Sequence, residues 1–201
     1  MTITCQAAVL WAPGQPLEIR DVQLIEPQPG EVLVRTAAAG ICGTDLHFAV
    51  GAFSYRTPTA LGHEAGTVAA VGAGGHHRGT RGPGHRLRPD FLRPVCRLPQ
   101  RRDGLLHRPV GQAAPAPADA VGDEPIRQYL GVSAFAELMV VDAHALIPLS
   151  DGISFEAGAL LSCCLTTGLA TVFNVNRPAP GSTVAVIGAG GAVQGARIAG
   201  A

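Results

Sequence analysis

Groups that share one chemistry stand far apart in this chain, and bringing them together constrains its fold more than any other feature. Cys42-Gly43-Thr44-Asp45-Leu46-His47 is followed by Gly62-His63-Glu64, and Cys163-Cys164-Leu165-Thr166-Thr167-Gly168 comes roughly 120 positions after the first stretch. Two thiolates, an imidazole and a nearby carboxylate are the donor set of an open, catalytic zinc site. In such a site three protein groups hold the metal and a fourth position is left for water or substrate. From the residues alone, either sulfur of the Cys163-Cys164 pair could belong to the set.

The remaining composition sets the frame. At 201 residues the chain suits one large domain or one and a half, and 47% hydrophobic residues supply a core and exclude disorder. A formal net charge of zero provides no global field to recruit nucleic acid or an acidic membrane. No apolar run is expected to reach the roughly 20 residues of a membrane span. Met1-Thr2-Ile3-Thr4-Cys5 lacks a basic region followed by an apolar one, so a cytoplasmic location is expected. Five cysteines, an odd number, make no disulfide framework, whereas thiolate ligands in a reducing compartment account for some of them.

Short β-rich stretches at Ala7 to Trp11, Leu17 to Val22 and Glu31 to Ala38 are separated by Pro13-Gly14 and Pro27-Gln28-Pro29-Gly30, the pattern of strands joined by turns. Glu64 to Val71 and Phe135 to Val141 read the same way, and the set suggests a barrel or a partly open sandwich. Ser154 then reads as an N-cap with Glu156 in the first turn, and the run to Leu161 and that from Leu165 to Phe173 suit helices. Pro178-Ala179-Pro180-Gly181 leads to Thr183-Val184-Ala185-Val186-Ile187, expected as a buried strand. A glycine-rich turn and a helix start follow, as at the opening of a dinucleotide-binding βαβ unit.

Residues 76 to 118 differ in kind. They carry most of the arginines, four of the seven histidines and many prolines, with no sustained period of 2 or 3.6, and no structure is assigned there. A nucleic-acid reading of this segment lacks the interleaved aromatics of a stacking platform and any reader motif.

In this order and at these separations the three motifs resemble the zinc-containing medium-chain alcohol dehydrogenases. The resemblance covers residues 5 to about 74 and about 124 to 201. It implies an α+β chain, with a mainly β, barrel-like GroES-like catalytic domain over residues 1–175, of which 76–123 are aberrant and irregular. A truncated Rossmann α/β stub over 176–201 would follow. It implies that Cys42, His63 and Cys163 are the zinc ligands, with Glu64 a carboxylate close behind the metal that can exchange onto it. Cys164 would then be packing.

By the same resemblance Thr44 would accept the substrate hydroxyl's hydrogen bond and pass the proton on, with His47 at the end of that relay. Asp45 would orient His63. Gly188, Gly190 and Gly191 would meet the phosphates of NAD or NADP, and the partner would be a small alcohol or aldehyde. Members form homo-oligomers, and neither nucleic acid nor membrane is an expected partner.

Three departures qualify that reading. Only Ala65 separates Glu64 from Gly66 where the family has two residues, so downstream side chains would change face unless a bulge absorbs the loss. Where relatives place four cysteines around a structural zinc this chain has Cys96 alone, with His107 as the one further candidate, so no structural zinc is expected. The change of composition near Gly75 and the return near Glu124 suggest a shifted reading frame, which the coding DNA would decide.

Finally, Gly188-Ala189-Gly190-Gly191-Ala192-Val193 puts valine at the third glycine of the turn, with about four residues missing beside it. The acidic residue expected about 20 positions beyond the turn to hold the ribose lies past Ala201. Little or no turnover is therefore expected of this chain. A metal-keeping module without hydride chemistry, or a chain that does not fold stably, are the competing readings.

Overall fold

The computed structural model describes residues 3–28, 31–69, 93–94, 119–121, 124–142 and 145–200. Strands β1 (Ile3–Leu10), β2 (Glu18–Leu24), β3 (Glu31–Gly40), β4 (Thr59–Ala60), β5 (Glu64–Ala69), β6 (Arg93–Pro94), β7 (Asp119–Val121), β8 (Glu124–Gln128), β9 (Leu138–Asp142) and β10 (Leu146–Ile147) fall into three sheets. A closed barrel runs β1-β2-β7-β8-β4, a second sheet is ordered β5-β3-β9, and β10 pairs with β6. Most pairings are antiparallel; β4 and β8 run parallel.

Burial alternates along much of β1, and the barrel is the reason. Cys5, Ala7 and Val9 point inward and meet Val22 and Leu24 of β2, Ala60 of β4 and Ile126 of β8. A second cluster joins Val32 and Val34 of β3 to Ala65, Met139 and Val141. The valines, leucine, isoleucine and methionine among them are each worth about 1.5–3 kcal/mol when withdrawn from water. The site sits beside these layers, where β3 ends and β5 begins.

The residue missing between Glu64 and Gly66 is accommodated on the facing strand. β3 and β5 pair Gly40 with Glu64, Ala39 with Ala65 and Ala38 with Gly66, then shift register between Ala38 and Thr36. Ala37 is the extra residue of a bulge, so Thr36 pairs with Thr67.

Two strands fall where the sequence offers no periodicity. β7 joins β2 through Gln23 and Ala120 and pairs with β8, closing the barrel, and β6 pairs with β10. Strands of two or three residues are too short to register a period, which is why they escape a sequence reading. The rest of the aberrant segment, with Cys96 and His107, lies outside the described residues.

The two expected helices are one. Ser154 caps it, its hydroxyl accepting the Ala157 amide at 3.2 Å. Hydrogen bonds to its own backbone and then to Ser154 hold the Glu156 carboxyl below its ordinary value. From there α2 (Phe155–Leu160) and α3 (Thr166–Ala170) alternate with wider π-turns at Leu161–Leu165 and Thr171–Asn176. This 22-residue helix, with mean hydropathy 1.5 over its most apolar 18 residues, is long and apolar enough to cross a membrane, contrary to the expectation that no run reaches that length. Here it has another use. Its first turn abuts Gly66 of β5, and Gly168 abuts the last helix, α4 (Gly191–Ala199).

Thr183-Val184-Ala185-Val186-Ile187 is not the buried strand that its composition suggests. It is unpaired among the described residues, with Val184 39% and Ile187 94% exposed. A β-rich run becomes a strand only where a neighbouring backbone completes its ladder, and none of the described segments pairs with it.

Candidate metal centre

The site forms where β3 ends, β5 begins and the long helix passes over both. Cys42 follows β3 and precedes the short helix α1 (Gly43–Ala49). Asp45, in the first turn of α1, folds back so that its Oδ2 accepts the Cys42 amide at 3.0 Å. Its Oδ1 accepts the Gly62 amide at 3.2 Å and meets His63 Nδ1 at 2.9 Å. Asp45 is buried, and with these three donors its carboxylate is well satisfied. With Nδ1 donating to the carboxylate, the free lone pair of a neutral His63 is on Nε2.

The local sequence makes this arrangement possible. Gly62 has φ +92, and a Cβ there would lie 2.6 Å from the Phe135 amide nitrogen, so only glycine delivers His63 at this angle. Gly40 pairs with Glu64, and a Cβ at Gly40 would occupy the position of Glu64 Oε2. The missing side chain makes room for a buried carboxylate.

Cys42 Sγ, Cys163 Sγ, a His63 ring nitrogen and a Glu64 carboxylate oxygen all lie within 4.8 Å of one another. Glu64 is buried, and the other three are half-buried. His63 reports the field at this point. Burial alone would lower its pKa, but hydrogen bonds and charge from Asp45 and then Cys163 outweigh it and raise the value from 6.5 to about 11. A pocket that holds a proton this firmly is electrically suited to a divalent cation, and two sulfurs, a nitrogen and an oxygen suit zinc. The residues present fit the metal.

The other sequence candidates fall at varying distances. Thr44 Oγ1 lies 3.6 Å from Cys42 Sγ. His47, also on α1, is exposed, its ring 5.0 Å from that of Phe53, and no hydrogen bond joins it to Thr44. Cys163 Sγ is 3.9 Å from Thr167 Oγ1. Cys164 stands outside the cluster. Its thiol donates to the Leu160 carbonyl at 2.8 Å, and burial, then the Glu64 charge, hold its pKa above the ordinary value.

Gly188 has φ +114 and Gly190 faces open space, but the side of Gly191 where a Cβ would stand is occupied by Cys164. With 183–187 unpaired and Val193 at the third glycine, the described residues do not build a dinucleotide cleft by themselves.

Sequence reasoning missed Tyr129, since no motif marks it. Fully buried, its ring stands edge-on to His63 at 5.8 Å and to Phe48 at 5.2 Å. Burial, then the Asp45, Tyr55, Cys42 and Cys163 charges, push its phenol pKa up.

Comparison with known proteins agrees with this architecture. The alcohol dehydrogenase GroES-like domain family matches residues 28–151. Alcohol dehydrogenase 1 of Pisum sativum is 34% identical over 99% of this chain and 56% of its own length, and alcohol dehydrogenase 1 of Trifolium repens is 33% identical over the same shares. A solved structure, an alcohol dehydrogenase zinc-binding domain protein from Burkholderia ambifaria, superposes with a TM-score of 0.78 at 28% identity, covering 99% of this chain and 57% of that one. The chain thus spans about half the length of the relatives it matches. It belongs to the zinc-containing medium-chain alcohol dehydrogenase family, built from a GroES-like domain and the beginning of a Rossmann unit.

Proposed function

We propose that Cys42, His63 and Cys163 hold one catalytic zinc ion, with Glu64 close enough to exchange onto it, in a site for interconverting a small alcohol and its aldehyde or ketone with NAD or NADP. The observation that carries this reading is the approach of four donor atoms, from three separate stretches of sequence, to within 4.8 Å of one another. Bound there, a zinc ion would lower the pKa of an alcohol hydroxyl so that hydride leaves more readily.

The chain's own residues do the rest. Asp45 fixes the His63 ring and its tautomer, keeping Nε2 free for the ion. Thr44, beside the Cys42 sulfur, would accept the hydrogen bond of the substrate hydroxyl, and His47, exposed on the same helix but not bonded to Thr44, would receive the proton through a bridging water. No step is assigned to the nicotinamide, because the described residues leave its cleft unbuilt, and turnover by this chain is accordingly expected to be low or absent.

The test is metal content together with an assay for alcohol-dependent formation of reduced nicotinamide. One zinc per chain, lost in Cys42→Ser, is expected; a chain that takes up no zinc would contradict the proposal. Brisk turnover abolished by Cys42→Ser would contradict the expectation of low activity. The unpaired 183–187 segment and the occupied side of Gly191 favour a second reading, a metal-keeping GroES-like module without hydride chemistry. Zinc retention with no heat of nucleotide binding in calorimetry would select it.

A further inference from the structure

We infer that Cys164 and Gly191 form a wedge that sets the rotation of the helical turn carrying Cys163, making α4 the element that aims this sulfur at the metal; this inference rests on the metal reading above. Neighbouring residues on a helix point in different directions, about 100° apart in α geometry and less in a wider turn. Cys163 faces the donor cluster while Cys164 faces α4. Whatever fixes the direction of Cys164 therefore fixes that of Cys163.

The turn needs fixing. Leu161–Leu165 is a π-turn, wider than an α-turn, and tightening it to α geometry would rotate the residues beyond it. Five contacts oppose that change. The Cys164 thiol is tied back to the Leu160 carbonyl at 2.8 Å. A Cβ on Gly191 would stand 2.6 Å from Cys164 Cβ and 3.1 Å from its Sγ, so the two backbones meet with no room between them. One turn further along α4, a Cβ on Gly195 would stand 3.0 Å from Leu165 Cα, and one on Gly168 would overlap the α4 backbone at Ala192 and Ala196. On the opposite side the Phe155 carbonyl abuts Gly66 of β5, the strand that begins with Glu64. The helix is gripped between the strand that bears the carboxylate and the helix that opens with the glycine turn.

This use of the glycines differs from phosphate binding. Gly190 faces open space and is free to meet a phosphate, while the bare side of Gly191 is already taken by Cys164. The two uses predict opposite responses from adjacent positions.

Titration of the full chain with cobalt(II), followed by its thiolate-to-metal charge-transfer absorbance and its dissociation constant, separates them. In Gly191→Ala the constant is expected to rise about tenfold, with absorbance falling from the two-thiolate toward the one-thiolate level. The size swap Gly191→Ala with Cys164→Gly returns both toward wild type, and Gly190→Ala leaves both unchanged. Cys164→Ala, a truncation the helix tolerates, weakens binding by a smaller factor while keeping two-thiolate absorbance, and it carries the test even if Gly191→Ala does not fold. Unchanged constants in Gly191→Ala and Cys164→Ala, with the wild type still binding one cobalt, would overturn this inference alone. One-thiolate absorbance in Cys164→Ala would also overturn it, by making Cys164 itself the ligand. A wild-type chain that takes no cobalt would overturn the metal reading and this inference together.

Discussion

Asp45 Oδ1 stands 2.9 Å from His63 Nδ1 while its Oδ2 accepts the Cys42 amide, so a single buried carboxylate orients an imidazole and anchors the residue that bears a sulfur. Removing it would free the His63 ring and strand the Cys42 and Gly62 amides. Asp45→Asn is expected to weaken zinc binding about 10- to 100-fold, the usual cost of losing a group that orients a metal-binding histidine. Asp45→Ala should also cost about 3 kcal/mol of stability, since buried donors lose their acceptor. Chelator competition and chemical denaturation measure the two effects; undiminished zinc affinity in Asp45→Asn would remove this carboxylate from the site's design.

The Gly40 and Glu64 pair offers a second test. A Cβ at position 40 would occupy the place of the Glu64 carboxylate oxygen, and neither backbone can yield, because both belong to one ladder. Gly40→Ala is expected to destabilise the fold by about 1–3 kcal/mol through overpacking. Adding Glu64→Ala should recover most of that loss, since the clash is with the side chain. Additive losses in the double variant would show that Gly40 is needed for some other reason.

How far the sequence discloses this architecture depends on how many residues each feature spans. β1 and β3 carry enough alternating positions to show which face is buried, and Ser154 marks its helix because a cap is a local device. The candidate metal cluster is legible for a different reason: Cys42, His63 and Cys163, which the fold brings together, each sit in a short motif whose neighbours have work of their own, Asp45 and Gly62 among them. β7 is too short for a period, and its pairing with β2 spans nearly a hundred positions, so nothing local reports it. Thr183 to Ile187 misleads because an apolar β-branched run states a preference, and only a neighbouring strand realises it. Tyr129 is invisible for the corresponding reason, since its place beside His63 exists only once the barrel has closed.

The field around His63 gives the metal-free protein a distinctive pH dependence. Its pKa is raised from 6.5 to about 11, against burial and through Asp45 and Cys163, so the folded chain binds this proton more tightly than the unfolded chain does. Stability from that proton is complete below about pH 6.5 and is lost as pH rises toward about 11. Thermal unfolding of chelator-treated protein across this window should show a melting temperature that falls with rising pH, with a flatter profile in His63→Gln. A rising profile would contradict the sign.

Tyr129 supplies the last test. Its hydroxyl is buried with no hydrogen-bond partner among the described residues, while its ring packs edge-on against Phe48, Tyr55 and His63. The ring contributes packing, and the oxygen costs free energy because folding strips its water without replacing it. Tyr129→Phe keeps the ring and deletes the orphan, so it should stabilise the chain by about 1 kcal/mol, raising the melting temperature on the order of 2–4 °C. Zinc affinity should hold, since the face presented to His63 is unchanged. If Tyr129→Phe instead lowered the melting temperature by a similar amount, the hydroxyl would have to be satisfied in solution, and its burial would count as an asset to the fold.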